Sequence, residues 1–220
     1  MWRYRGALAA YSILIPIAAI LLSLATVAVL LRASGSDPLA AYHSMLNAAF
    51  GNQFSFSTTL IKTIPRLLAA LGIALALRAG LWNIGAEGQI YIGATAATAA
   101  ALFGPHLPFP LGAIVAMVVG MLAGAAWAAI PGVLRSTRGI SEVITSLMLV
   151  YIAIQLTNYL VEGPWLIAGS TFPESDVIPT GASLPVIWSG TLLHAGAIVA
   201  VAAVAIAWVI MDRSTFGLRL

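Results

Sequence analysis

Across 220 residues the chain is 61% hydrophobic and 8% charged, against the roughly 25% charged residues of a soluble domain, which excludes a soluble fold and leaves an all-α, polytopic helical membrane protein of about six transmembrane helices. With no cysteine there is neither a disulfide framework nor a thiolate metal site or thiol nucleophile. The net charge of +3 comes from arginines scattered at the ends of apolar runs, so it orients a chain in a lipid bilayer and points to no nucleic acid.

Arg3 and Arg5 precede an apolar run over residues 7–31 that exceeds the roughly 20 residues needed to cross a bilayer. A signal peptide has a shorter apolar region, and this run ends in Leu30, Leu31 and Arg32, so an uncleaved first span is expected. Ser36, Asp37 and Pro38 then read as a helix start, Asp37 capping free amides and Pro38 filling the first turn. Leu39, Tyr42, Leu46 and Phe50 fall near one face of the short helix that follows, which suits the membrane surface, and Gly51 and Asn52 supply a stop. A second span is expected over residues 58–77, with Lys62 and Arg66 at its entrance, placed to snorkel to headgroups or to attract an anionic group.

Next comes a polar interruption between two apolar runs, Arg78-Ala79-Gly80-Leu81-Trp82-Asn83-Ile84-Gly85-Ala86-Glu87-Gly88-Gln89. Backbone outside helical hydrogen bonding, and side chains that keep their polarity, persist near a bilayer only where protein or a water-lined path covers them. The third span, residues 90–103, is dominated by Ala, Gly and Thr, small enough for close helix approach. Pro105, Pro108 and Pro110 make residues 104–110 a tight turn. The fourth span, residues 111–130, carries Gly120 and Gly124 as a packing stripe, serving either the inside of this chain or a contact between two subunits. A basic loop is expected over residues 132–139, with Arg135 and Arg138. Ser141 and Glu142 then start the fifth span, as a hydroxyl cap and an acid in a positively polarised first turn. That span ends near Val161, and residues 162–190 carry Glu162, Glu174 and Asp176 but no Lys or Arg, as an exported loop does. Trp165 and Trp188 near its ends suit the headgroup belt, and residues 191–211 make a sixth span.

An amino terminus inside places Arg3, Arg5, Arg78, Arg135, Arg138, Arg213 and Arg219 on the cytoplasmic side and only Arg32, Lys62 and Arg66 outside. The excess puts both ends of the chain in the cytoplasm.

The run from Thr59 through the string beginning at Arg78 to Ala94, with Pro65, Leu67 and Leu68, resembles the signature of permease subunits of bacterial ATP-binding-cassette (ABC) importers. More narrowly it resembles the nucleoside and simple-sugar branch, related to the ribose, galactose and branched-chain amino acid permeases. Residues 140–153 resemble the same branch, with Ser141 and Val150 where its pattern usually carries Asn. The resemblance implies a single permease domain over residues 1–220 that moves a small polar solute, a nucleoside first and a monosaccharide next. It implies as partners an ATP-binding subunit, a second permease subunit (homo- or heterodimer), an extracytoplasmic solute-binding protein and the lipid bilayer. In this family a sequence like Ser214-Thr215-Phe216-Gly217-Leu218-Arg219 is followed by a cytoplasmic coupling segment and further spans. The chain thus resembles about the first two-thirds of a typical member, and alone it is expected not to couple to an ATPase.

His43, His106 and His194 lie on separate segments, so no metal site is expected. No Gly-x-Ser-x-Gly, His-Glu-x-x-His or phosphate-binding Lys-Ser/Thr loop is present, so no catalytic residue is expected. ATP and Mg would be bound by the partner ATPase, with no cofactor on this chain. In the polar interruption, Trp82, Asn83, Glu87 and Gln89 are the candidate solute-path residues, with Gly80, Gly85 and Gly88 allowing close backbone approach. The alternative makes the same stretch a cytoplasmic turn, with Glu87 stabilising the start of the third span and Trp82 in the headgroup belt. Arg135, Arg138 and Glu142 are candidates for the cytoplasmic partner contact. The rival class is an ion-coupled secondary transporter, for which Glu87 is the one serious coupling carboxylate.

Overall fold

The computed structural model describes residues 3–214 and 217, with side chains from Leu14 onward. Among them run seven α-helices: α1 Arg3–Ala33, α2 Pro38–Phe50, α3 Gln53–Arg78, α4 Ala86–Phe103, α5 Leu111–Arg138, α6 Glu142–Glu162 and α7 Gly196–Arg213. Arg219 and the tail around it, and the side chains of Arg3 and Arg5, lie outside the described residues. The chain divides into two compact units, residues 1–59 and 60–220.

In the first unit, α1 is apolar on every side, and its stretch Leu14–Ala33 has no residue buried within the protein. A helix hydrophobic all round belongs in lipid or against other apolar helices. Within α1, Thr26 Oγ1 bonds backward to the helix, donating to the Leu22 carbonyl at 2.9 Å, and just past its end Ser34 Oγ donates to the Leu31 carbonyl at 2.8 Å. Asp37 caps α2, its Oδ1 accepting from the Leu39 N–H at 3.0 Å with Pro38 in the first turn. Tyr42 Oη reaches back to the Leu24 carbonyl and ties α2 to α1. Asn52 does more than end α2: its Oδ1 accepts the Ser55 N–H at 2.8 Å, so α3 begins at Gln53, five residues ahead of the expected span.

In the second unit, α4 packs between α5 and α6. Five helices are long and apolar enough to cross a membrane, and α4 is the long helix of this unit that is not among them. Glu87, Gln89 and a run of small residues dilute its hydropathy, and the small residues suit close packing against neighbouring helices. Glycine sets the approach. A Cβ on Gly93 would stand 3.0 Å from the Gly120 carbonyl oxygen, one on Gly120 2.9 Å from the Gly93 carbonyl oxygen, and one on Gly124 3.2 Å from that of Gln89. Gly120 and Gly124 therefore serve the α4–α5 contact inside the chain. Across the other face, Gly88 leaves room for Val150 of α6, whose Cα would lie 3.0 Å from an added Cβ. Two polar links join the same helices: the Thr95 and Thr157 hydroxyls at 2.9 Å, and Trp127 Nε1 donating to the Leu149 carbonyl at 3.3 Å. Arg78 and Asp212 meet at 3.3 Å and bring the ends of α3 and α7 together.

Three expectations are corrected. Residues 132–138 are no loop but the last turns of α5, which runs through Pro131 and stops at Gly139. There φ of 66° is left-handed, and the Gly139 N–H closes onto the carbonyls of Leu134 and Arg135. Arg135 and Arg138 in the last turn complement its negative end. The polar interruption is also shorter than its sequence implies, because α4 starts at Ala86 and takes in Glu87, Gly88 and Gln89. Finally, the sixth span starts at Gly196, not Thr191. Residues 185–195 fold as a small turn instead, with Val186 and His194 bridged antiparallel and Ile187 N–H bonded to the Leu193 carbonyl at 2.8 Å.

The glycine contacts give a direct test. Gly120→Ala should destabilise the purified protein by about 1–3 kcal/mol, because a backbone carbonyl cannot yield to the new methyl. Gly72→Ala, with nothing within 4 Å of its added Cβ, should be neutral or mildly stabilising. Thermal unfolding in detergent compares the two, and equal losses would refute the packing account.

Candidate functional site: a cleft at the polar break

Where the helices of the second unit gather their basic ends, a cleft of about 180 Å³ opens. Its walls come from four helices and the loop between α3 and α4: Ala76 of α3; Leu81, Trp82 and Asn83 of the loop; Gln89 of α4; Ala128, Pro131 and Gly132 of α5; Glu142 and Ser146 of α6. The loop leaves α3 through Gly80, whose φ of 74° suits glycine, and Gly80 and Leu81 N–H groups close onto the carbonyls of Leu77 and Ala76. It then rests on α6 at Gly85, where an added Cβ would stand 2.9 Å from Ser146 Cβ.

The polar centre is a closed ring of two amides. Asn83 Nδ2 donates to Gln89 Oε1 at 3.3 Å, Gln89 Nε2 donates to Asn83 Oδ1 at 3.0 Å, and the Gly85 N–H adds a third bond to Asn83 Oδ1 at 3.1 Å. Asn83 thereby fixes the turn that leads into α4, while each amide keeps donor and acceptor capacity for another group. Opposite stands Glu142, its side chain only 11% exposed and its Oε2 accepting from Arg135 Nη1 at 2.8 Å, with the arginine 49% exposed. The pair bridges the last turn of α5 to the first of α6, so Glu142 is engaged within the chain. Ser146, one turn further along α6, is 1% exposed and donates to the Val143 carbonyl at 3.2 Å. Ser141 was expected as a hydroxyl cap, yet its side chain makes no capping bond; its backbone carbonyl accepts from the Thr145 N–H instead.

Of the candidate path residues, Trp82, Asn83 and Gln89 meet at this cleft and Glu87 does not. Two positions from Gln89 on a helix, Glu87 points about 200° away and lies exposed on the first turn of α4, where a carboxylate complements the helix dipole. Arg138 is exposed and meets no carboxylate among the described residues. Ser146, Pro131 and Gly132 line the cleft although sequence reading did not nominate them. The one available signal was the four-residue step from Glu142 to Ser146, which sets both on one helix face. His106 and His194 engage nearby backbone, at Gly104 and Gly196.

The sequence profile of the family described as branched-chain amino acid transport system / permease component matches residues 55–220. The chain belongs to this family. Among relatives of this permease, a glucose ABC transporter permease protein of Haloferax volcanii is 36% identical over 217 residues, covering 92% of this chain and 56% of its own length. A guanosine ABC transporter permease protein of Bacillus subtilis is 35% identical, covering 94% of this chain and 60% of its own. A nucleoside ABC transporter permease protein of Lactococcus lactis subsp. cremoris is 31% identical, covering 94% and 59%. The permease chain thus spans somewhat under two-thirds of the length of these relatives. No solved structure matches it significantly.

If the amide ring holds the loop against α4, Asn83→Ala and Gln89→Ala should each lower stability by about 1–3 kcal/mol by stranding the partner's polar atoms. The double variant should lose clearly less than the sum of the two. Additive losses in detergent unfolding would show that the amides act independently.

Proposed function

We propose that this permease chain forms the membrane path of an ABC importer for a small polar solute, a nucleoside first and a simple sugar next. The observation that carries the reading is the cleft at the polar break, where an indole, two amides, a hydroxyl and a carboxylate converge between helices of a permease-family bundle. The flat face of Trp82 offers stacking to a base or a sugar ring, and the Asn83 and Gln89 amides match the mixed donors and acceptors of a hydroxyl-rich or heterocyclic solute. The solutes for which the relatives are named, glucose for one and guanosine and nucleosides for the other two, favour the same solute classes.

Both termini belong in the cytoplasm on this reading. Its support is a gathering of charge: Arg78, Arg135, Arg138 and Arg213 occupy the last turns of α3, α5 and α7, whereas the segment after α6 carries Glu162, Glu174 and Asp176 and no Lys or Arg. The cleft then faces inward, next to where an ATP-binding subunit would dock, with Arg138 open to it. ATP and Mg reside on that subunit; a second permease and an extracytoplasmic solute-binding protein complete the assembly. Family membership favours this nucleotide-driven arrangement over ion coupling, and Glu87, the coupling carboxylate that ion transport would need, stands outside the cleft.

Uptake of labelled nucleoside by the complete transporter tests the assignment. Gln89→Leu and Trp82→Ala should each reduce uptake by roughly tenfold or more at wild-type protein levels, the kinetic equivalent of one lost polar or stacking contact. Glu87→Gln should transport normally. Normal uptake by all three would remove the cleft from the solute path.

A further inference from the structure

Two cations sit where a membrane helix should have none. Lys62 and Arg66 are one turn apart on one side of α3, both exposed, and among the described residues neither meets a carboxylate. Their depth follows from the helix. Arg78 ends α3 in its ion pair with Asp212, and at 1.5 Å per residue Arg66 lies about 18 Å and Lys62 about 24 Å up the axis from it. Against a hydrocarbon layer of about 30 Å, Arg66 starts about 12 Å below the far boundary and Lys62 about 6 Å below it.

Snorkelling settles one of these charges and not the other. The Arg66 side chain already turns toward the Gln53 end of α3, its Nη1 donating to the Lys62 carbonyl at 2.6 Å. That lifts the guanidinium by about one turn, roughly 6 Å, and leaves it still about 6 Å inside the apolar layer. One N–H is engaged and the rest of the fork remains open. The Lys62 ammonium, a turn higher, reaches the boundary. Ala70, Ile73 and Leu77 continue the same side of α3 beneath the pair, Ala70 and Leu77 exposed, so this side presents apolar surface with two cations stacked above it. A desolvated guanidinium draws in an anion, and here the available anion must come with an apolar body.

We propose that Lys62 and Arg66 form a binding site for the phosphate of an anionic membrane lipid, in the leaflet at the Gln53 end of α3. The phosphate is drawn inward between the ammonium above and the guanidinium below, and the acyl chains lie along Ala70, Ile73 and Leu77. Arginine supplies a fork suited to phosphate oxygens and lysine a mobile point charge. The site is separate from the cleft and needs neither the solute assignment nor the direction of transport.

Native mass spectrometry of the purified chain, released from detergent micelles with added phosphatidylglycerol, phosphatidylcholine or inorganic phosphate, reads the site directly. The wild type should retain phosphatidylglycerol over phosphatidylcholine. Lys62→Gln and Arg66→Gln should each cut that retention about fivefold, the weight of one cation at a lipid surface. Arg138→Gln, an exposed cation at the opposite end of the bundle, should retain the lipid as the wild type does, and Arg66→Lys, which keeps the charge should Arg66→Gln fail to fold, should retain most of it. Retention unchanged in both Lys62→Gln and Arg66→Gln, or equal retention of phosphatidylglycerol and phosphatidylcholine by the wild type, would overturn the proposal. So would full displacement of phosphatidylglycerol by millimolar inorganic phosphate, which would make this a soluble-anion site.

Discussion

Everything in the second unit hangs on how closely α4 approaches its two neighbours. Gly93 and Gly120 bring the backbones of α4 and α5 together so tightly that a methyl on either would collide with the other's carbonyl oxygen. Lipid gives no hydrophobic push between helices, so dispersion contacts at this range, and the few polar links they permit, are what hold such a pair. Close approach on one face leaves α4 able to meet α6 on the other through Gly88, and the Thr95–Thr157 link forms across that second seam. The helix of lowest hydropathy in this unit is thereby held between two neighbours, and its first turn can carry Gln89 and the residues before it.

That enclosure positions the cleft. The loop between α3 and α4 has few backbone hydrogen bonds of its own beyond Leu81, so its course is set from outside: by Gly85 against Ser146 on α6 and by the amide ring from Asn83 to Gln89. An amide ring is a strong tether where water is scarce, yet it is neutral and reversible, since each bond can be exchanged for one to another polar group at little net change. The Arg135–Glu142 pair is of another kind. With Glu142 largely buried, loss of the arginine would leave a carboxylate poorly solvated, so the pair fixes the α5–α6 corner that the amides lean toward. Arg78 and Asp212, 53% and 43% exposed, form a looser link of the sort that contributes little.

Much of this was legible in the residues. Span count, the Asp37-Pro38 start, the polar break and the glycine stripe of α5 follow from hydropathy, capping chemistry and spacing, which are local properties. What was missed depended on partners far away in sequence. Residues 132–138 read as a loop because Pro131, Gly132 and two arginines look like punctuation, but Gly139 alone ends the helix, and a proline inside a membrane helix is tolerated where neighbours cover it. Ser146 and Pro131 could not be nominated for the cleft, because nothing local says that α5 and α6 meet the α3–α4 loop. Asn83, Glu87 and Gln89 looked equivalent in a string. The start of α4 at Ala86 separates them, since helical rotation sends Glu87 away while the loop conformation returns Asn83 to Gln89.

Pro131 adds a constraint on the cleft wall that no polar side chain supplies. It is buried in the cleft wall and has no N–H, so the carbonyl of Trp127, one turn earlier, loses the donor that a regular α5 would give it. Trp127 itself is anchored through Nε1 to the Leu149 carbonyl of α6, which holds this turn in place instead of letting the helix straighten. Ala128, between them on α5, lines the same cleft. The proline, the indole anchor and the alanine act together only in the assembled bundle. Substituting any of them would alter the cleft without removing a polar side chain, which sets the chemistry of this site partly in the shape of α5.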